Sequence, residues 1–185
     1  VISVRNLTKS YGQHTVLRDI SLDIYPGESV AVMGPSGSGK TTLLHALSGI
    51  IRIDSGTIQV LGGGPEIPGG RVELGDLSEK QRTSLRANSF GFIFQQGLLI
   101  PELTAEENVS LAAMISGMSR EQARTASANL LARLGLGDMC EKRIGELSGG
   151  QAQRVAIARS QITGAPITFA DEPTGALDSV TAQEV

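Results

Sequence analysis

Ser29-Val30-Ala31-Val32-Met33-Gly34-Pro35-Ser36-Gly37-Ser38-Gly39-Lys40-Thr41-Thr42 is the stretch whose reading decides the fold. Residues 29–33 form a short apolar run of the buried-strand type. Gly34 to Gly39 make a loop, and a helix follows from Lys40, with Leu43, Leu44 and Leu47 on one face and Gly49 as its stop. Glycines at these places let backbone N–H groups converge on an anion without Cβ clashes, and the helix N-terminus adds partial positive charge. Lys40 can bridge β- and γ-phosphates, and the Thr41 hydroxyl can ligate Mg²⁺. A dinucleotide cradle is excluded, because Gly37-Ser38-Gly39-Lys40-Thr41-Thr42 lacks the third glycine that such a turn requires. The stretch reads as a nucleoside-triphosphate site.

Outward from it, the first third reads as β. Ile20, Leu22 and Ile24 alternate with Ser21 and Asp23, and Thr57 to Val60 predict another strand. Gly62 through Gly70 is rich in glycine and proline and reads as a surface loop. Ser78 with Gln81, Thr104 with Glu107, and Ser119 with Gln122 are capping boxes that open helices, and Phe90 to Phe94 returns to strand. Ala123, Ala126, Leu130 and Leu134 recur at helical spacing and stop at Gly135. A strand at 166–170 after this helical block makes the chain α/β, with a helical insert at 97–147.

The strand at 166–170 runs into Asp171-Glu172. Asp171 can hold the shell of a metal ion while Glu172 points at an attacking water. Neighbouring side chains on a strand face opposite ways, which suits two roles.

The 185 residues suit one domain with an inserted subdomain. Sixteen Lys+Arg against nineteen Asp+Glu give 16 − 19 = −3. That balance offers no broad basic surface for nucleic acid. The single cysteine, Cys140, excludes an internal disulfide and suggests a reducing, cytoplasmic setting. No stretch approaches the roughly 18 apolar residues needed to cross a bilayer, so a membrane role is expected to be peripheral.

Leu147-Ser148-Gly149-Gly150-Gln151 precedes a further helix. Ser148 and Gln151 form a capping box, but capping does not explain two glycines in a first turn, where each weakens the helix. Close approach to an anionic ligand does. Together, Gly34 to Thr41, Gln95, Leu147 to Gln151 and Asp171-Glu172-Pro173-Thr174-Gly175-Ala176-Leu177-Asp178 resemble an ABC transporter ATPase subunit in order and spacing. The run Asp76 to Asn88, Phe90 to Gln95, Leu103 to Val109 and Asp171 to Asp178 are similar to the lipoprotein-releasing and macrolide-exporter branch.

The resemblance implies a P-loop NTPase (RecA-like) core with an N-terminal antiparallel β subdomain. It divides the chain into 1–96, a helical subdomain at 97–147, and 148–185. It implies ATP and Mg²⁺ as cofactors. The phosphates would be held by Gly34, Pro35, Ser36, Gly37, Ser38, Gly39, Lys40, Thr41 and Thr42, and the metal by Thr41, Gln95 and Asp171. Tyr11 would stack on adenine, while Gln95 and Glu172 would act on the water. Ser148, Gly149, Gly150 and Gln151 would meet the γ-phosphate held by a second subunit, identical or paired, with Asp178 at the seam. Transmembrane permease subunits on the inner face of the cell membrane would complete the machine. No nucleic acid is expected.

The family also carries a switch histidine beyond the acidic pair, reached through another core strand. No histidine follows Asp171, and His14 and His45 do not match it. The chain is therefore expected to be a fragment or an unusual form with its C-terminal part missing, and hydrolysis by this polypeptide alone is in doubt. Two other roles stand beside transport: an ATP-dependent membrane-complex module for assembly or signalling, and a soluble ABC protein. A second cassette or long coiled coil would mark the latter, and the sequence carries neither.

Overall fold

In the computed structural model the described residues are 1–62, 70–94 and 97–175. Residues 63–69 of the expected surface loop Gly62–Gly70, together with Gln95, Gln96 and Asp178, lie outside them. Two compact units result, Val1–Ser89 and Phe90–Val185.

The first unit is built on an antiparallel sheet. β1 (Ile2–Tyr11) pairs with β2 (His14–Ile24) through the tight turn at Gly12, and with β3 (Ser55–Gly62) on its other edge. β4 (Gly70–Glu73) pairs with β3, giving the order β2-β1-β3-β4. Ile2 and Val4 on β1 and their partners Val60 and Ile58 on β3 are buried at strand spacing, and Leu7 is buried beyond a register shift in β1. Helix α1 (Lys40–Leu47) buries Leu43, Ala46 and Leu47, as its apolar stripe predicts, and ends ahead of Gly49. Helix α2 (Glu79–Ser89) starts at the Ser78 cap, where Gln81 N–H donates to Ser78 Oγ at 3.3 Å.

One expected element is absent from this unit. Residues 29–33 form no strand, and Val30, Val32 and Met33 are 55%, 40% and 90% exposed. A strand exists only through bonds to a neighbour. Among the described residues the order β2-β1-β3-β4 gives this run no partner.

The second unit joins a parallel pair to a helical group. β5 (Phe90–Ile93) lies beside β6 (Ile167–Ala170), with Phe90 opposite Ile167 and Ile93 opposite Ala170. The rings of Phe90 and Phe169 meet edge to face at 5.2 Å. Helix α5 (Gly149–Gln161) packs closely on β5: a Cβ on Gly91 would stand 2.6 Å from the Ser160 carbonyl oxygen. Helices α3 (Ala105–Ile115) and α4 (Arg120–Arg133) both begin in complete capping boxes, Thr104 with Glu107 and Ser119 with Gln122. Their core holds Ala105, Val109, Leu131, Leu136, Val155 and Ala158. The buried stripe of α4 is Ala123, Ser127 and Leu131; of the expected Ala123, Ala126, Leu130 and Leu134 only Ala123 belongs to it, while Leu130 and Leu134 pack against the core's margin.

Candidate functional site

The glycine loop is built from the backbone outward. Gly39 caps α1 in the left-handed region, φ 94°, and a Cβ there would stand 2.9 Å from Val16 Cγ1. Only glycine meets both conditions. At Gly34 a Cβ would press on Ser38 Oγ at 2.8 Å. Ser38 N–H closes a turn onto the Pro35 carbonyl at 3.2 Å. Lys40 Nζ reaches back over this turn to the carbonyls of Gly34 and Pro35, at 3.0 and 3.1 Å. The Lys40 ammonium is thus held on the carbonyls of a glycine-rich turn, in front of a helix N-terminus. That cradle suits a phosphate chain. Ser36, Gly37 and Ser38 are exposed.

Tyr11 closes β1 and is 53% exposed. Lys9 Nζ sits 5.4 Å from the centre of its ring. His14 opens β2 at the surface, and His45 is half-buried on α1.

In the second unit the acidic pair departs from expectation in one respect. β6 ends at Ala170, and Asp171 and Glu172 stand in the turn beyond it, not on the strand. Asp171 N–H still donates to the Ile93 carbonyl at 2.9 Å, holding the half-buried Asp171 at the strand's end. Glu172 lies in the left-handed region, φ 45°, and is exposed. The pair therefore differs in burial and backbone conformation and does not follow strand alternation. A glutamate held at positive φ is strained, a feature of functional turns.

Ser148 caps α5 as predicted. Its Oγ accepts from Gln151 N–H at 3.2 Å, and Gln151 Oε1 accepts from Ser148 N–H at 2.8 Å. Ser148 and Gly149 are exposed, while Gly150 is buried. The motif presents an exposed helix N-terminus with its cap already made.

Three groups that sequence reasoning missed support these segments. Arg159 on α5 donates to the carbonyls of Gly97 and Leu98 at 2.5 and 2.7 Å, and burial pushes its guanidinium below the usual range. Asn108, 2% exposed, accepts from Ile100 N–H at 2.8 Å and donates to the carbonyls of Ile100 and Thr104 at 3.1 and 2.9 Å. Asp54 accepts from Lys9 Nζ and from Ser10 N–H, at 3.0 and 2.6 Å. The first and third join residues 44 to 62 positions apart, so no local pattern announces them. Asn108 inside a helix, where it is a poor former, was the one available signal.

Among the described residues no group of three or more His, Cys, Asp or Glu side chains could hold a metal ion. Thr41 in the first unit and Asp171 in the second each carry a hard oxygen donor of the kind that magnesium takes. No helix among the described residues is long and apolar enough to cross a membrane.

Residues 17–175 match the ABC transporter family model, and the chain belongs to that family. It is an ATP-binding domain, the ATPase module of such proteins. The macrolide export ATP-binding/permease protein MacB of Rhodopseudomonas palustris (strain BisB18) is 46% identical over 188 residues, covering 100% of this chain and 27% of that protein. MacB of Escherichia coli (strain K12) is 43% identical, covering 100% of this chain and 28% of the relative. The chain thus spans about a quarter of the length of the curated relatives it matches. Among solved structures, the dimeric post-hydrolysis state of the ATP-binding cassette MJ0796 bound to ADP and Pi superimposes with a TM-score of 0.85 at 37% identity. It is covered over 79% of its length, and this chain over 100%. These likenesses bear out the P-loop NTPase core and the macrolide-exporter branch read from the motifs.

Proposed function

We propose that this chain binds and hydrolyses ATP and so powers export or extraction of a substrate through a permease on the inner face of the cell membrane. The observation that carries the reading is the loop Gly34–Thr41. Its left-handed Gly39 cap and its ammonium held over the turn form a cradle for a triphosphate.

In this reading Gly34 to Thr42 hold the phosphates and Tyr11 stacks on adenine. Thr41, Asp171 and Gln95 would hold a magnesium ion, which would supply charge neutralisation at the phosphates. Glu172, with Gln95, orients the attacking water and accepts its proton. The division into 1–96, 97–147 and 148–185 belongs to the same reading. Ser148 to Gln151 close over the γ-phosphate of a second subunit, and Asp178 lines the seam. An exposed, already capped helix N-terminus supports this role, since its remaining N–H groups and dipole favour an anion. Donors of this kind contribute about 3–4 kcal/mol each. Hydrolysis removes the bridging phosphate and the pair reopens, an order-and-release switch. The dimeric state of the solved cassettes agrees with such closure.

Two variants of the full protein test the proposal. Lys40→Ala is expected to weaken ATP binding. Glu172→Gln is expected to bind ATP, stop turnover and accumulate a dimer by light scattering. Unchanged nucleotide affinity in the first, or monomers with normal turnover in the second, would overturn it.

A further inference from the structure

Three side chains of the first unit, Lys9, Tyr11 and Asp54, form a connected group, of which the nucleotide-binding scheme above uses only Tyr11. Lys9 and Tyr11 are two residues apart on β1 and so share a face. The β1–β2 register shifts between Lys9 and Ser10, a bulge that re-aims neighbouring side chains. Lys9 Nζ lies 5.4 Å from the Tyr11 ring centre, within cation–π range. It is not a loose surface lysine: its side chain is 15% exposed and its ammonium is fixed by Asp54 Oδ1 at 3.0 Å. The other oxygen of Asp54 takes the Ser10 N–H at 2.6 Å, and Asp54 N–H donates to the Thr8 carbonyl at 3.0 Å. Lys9 and the Ser10 amide hold the Asp54 carboxyl below its ordinary range, in keeping with a permanent charge here. Just beyond Asp54, Gly56 passes so close to β1 that a Cβ would stand 2.5 Å from the Asn6 carbonyl oxygen, which fixes the turn carrying Asp54 against the strand.

We propose that Lys9 and Asp54 are a positioning pair that makes Tyr11 a one-sided platform for a purine base. The inference rests on the reading of Tyr11 as the base-stacking residue. Lys9 occupies one side of the ring, so a ligand can stack only on the other. Its charge draws π-density toward itself, and the electron-poor face left open favours the electron-rich purine over a pyrimidine. Asp54 keeps the ammonium in place, because a free lysine would spend its time in water. The pair acts on the base and not on the phosphates.

The experiment compares binding of Mg-ATP and of Mg-tripolyphosphate, which has no base, to the full protein. Lys9→Met keeps the aliphatic stem and removes the charge. It is expected to weaken ATP about three- to tenfold and leave tripolyphosphate unchanged, with Lys9→Arg restoring ATP affinity. Asp54→Asn is expected to act in the same direction, and it carries the test if the Lys9 variant does not fold. In a Tyr11→Ala background the Lys9→Met effect is expected to vanish. If Tyr11→Ala weakens ATP but Lys9→Met does not, or weakens both ligands equally, the positioning role is wrong and the stacking role survives. If Tyr11→Ala itself leaves ATP affinity unchanged, the stacking reading falls and the inference with it.

Discussion

Arg159 donates to the Gly97 carbonyl at 2.5 Å, tying helix α5 to the segment that begins two residues after Gln95. Helix α5, which opens after Ser148, is therefore tied to Gly97 and Leu98 through one side chain. Arg159→Met keeps the stem and removes the donors, stranding the carbonyls of Gly97 and Leu98. It is expected to cost about 1–3 kcal/mol of stability in urea unfolding. It is also expected to lower kcat more than it weakens ATP binding. Normal turnover in a destabilised protein would confine Arg159 to a structural role.

Ser148→Asp separates capping from ligand contact. Aspartate is as good an N-cap as serine, so thermal stability is expected to hold, whereas Ser148→Ala is expected to lose about 1 kcal/mol. The added negative charge would repel a γ-phosphate brought to this helix by a second subunit. ATP-driven dimerisation, followed by gel filtration of the Glu172→Gln background, is expected to disappear. Dimers persisting in Ser148→Asp would mean that the motif does not face phosphate.

Gly91→Ala tests the approach of α5 to β5. The new methyl would lie 2.6 Å from a backbone oxygen, which cannot rotate away. Thermal unfolding is expected to show a loss of about 1–3 kcal/mol. An unchanged melting temperature would show that α5 can slide without cost.

Glu172 sits at φ 45°, where glycine is at ease and other residues are strained. Glu172→Gly is expected to be more stable than Glu172→Ala by about 1 kcal/mol, although both lose turnover. Equal stability of the two would show that the turn relaxes freely.

What the sequence determined by itself is what is local. The boxes Thr104–Glu107, Ser119–Gln122 and Ser148–Gln151 each bond within one helical turn, so their residues carry the whole cause and all three form as read. The left-handed φ of 94° at Gly39 is likewise a local demand of the loop, although the space its missing Cβ leaves is taken by Val16 on β2. What only the tertiary structure decided is what depends on partners far along the chain. Val30 to Met33 has strand composition but no neighbouring ladder among the described residues, so it stays unpaired. Asp171 and Glu172 leave the strand because β6 stops at Ala170, where its pairing with β5 ends. Asp54 finds Lys9, and Arg159 finds Gly97, across 45 and 62 residues. Such contacts form only after folding has closed those loops, and a pattern read a few residues at a time holds no record of which ends will meet.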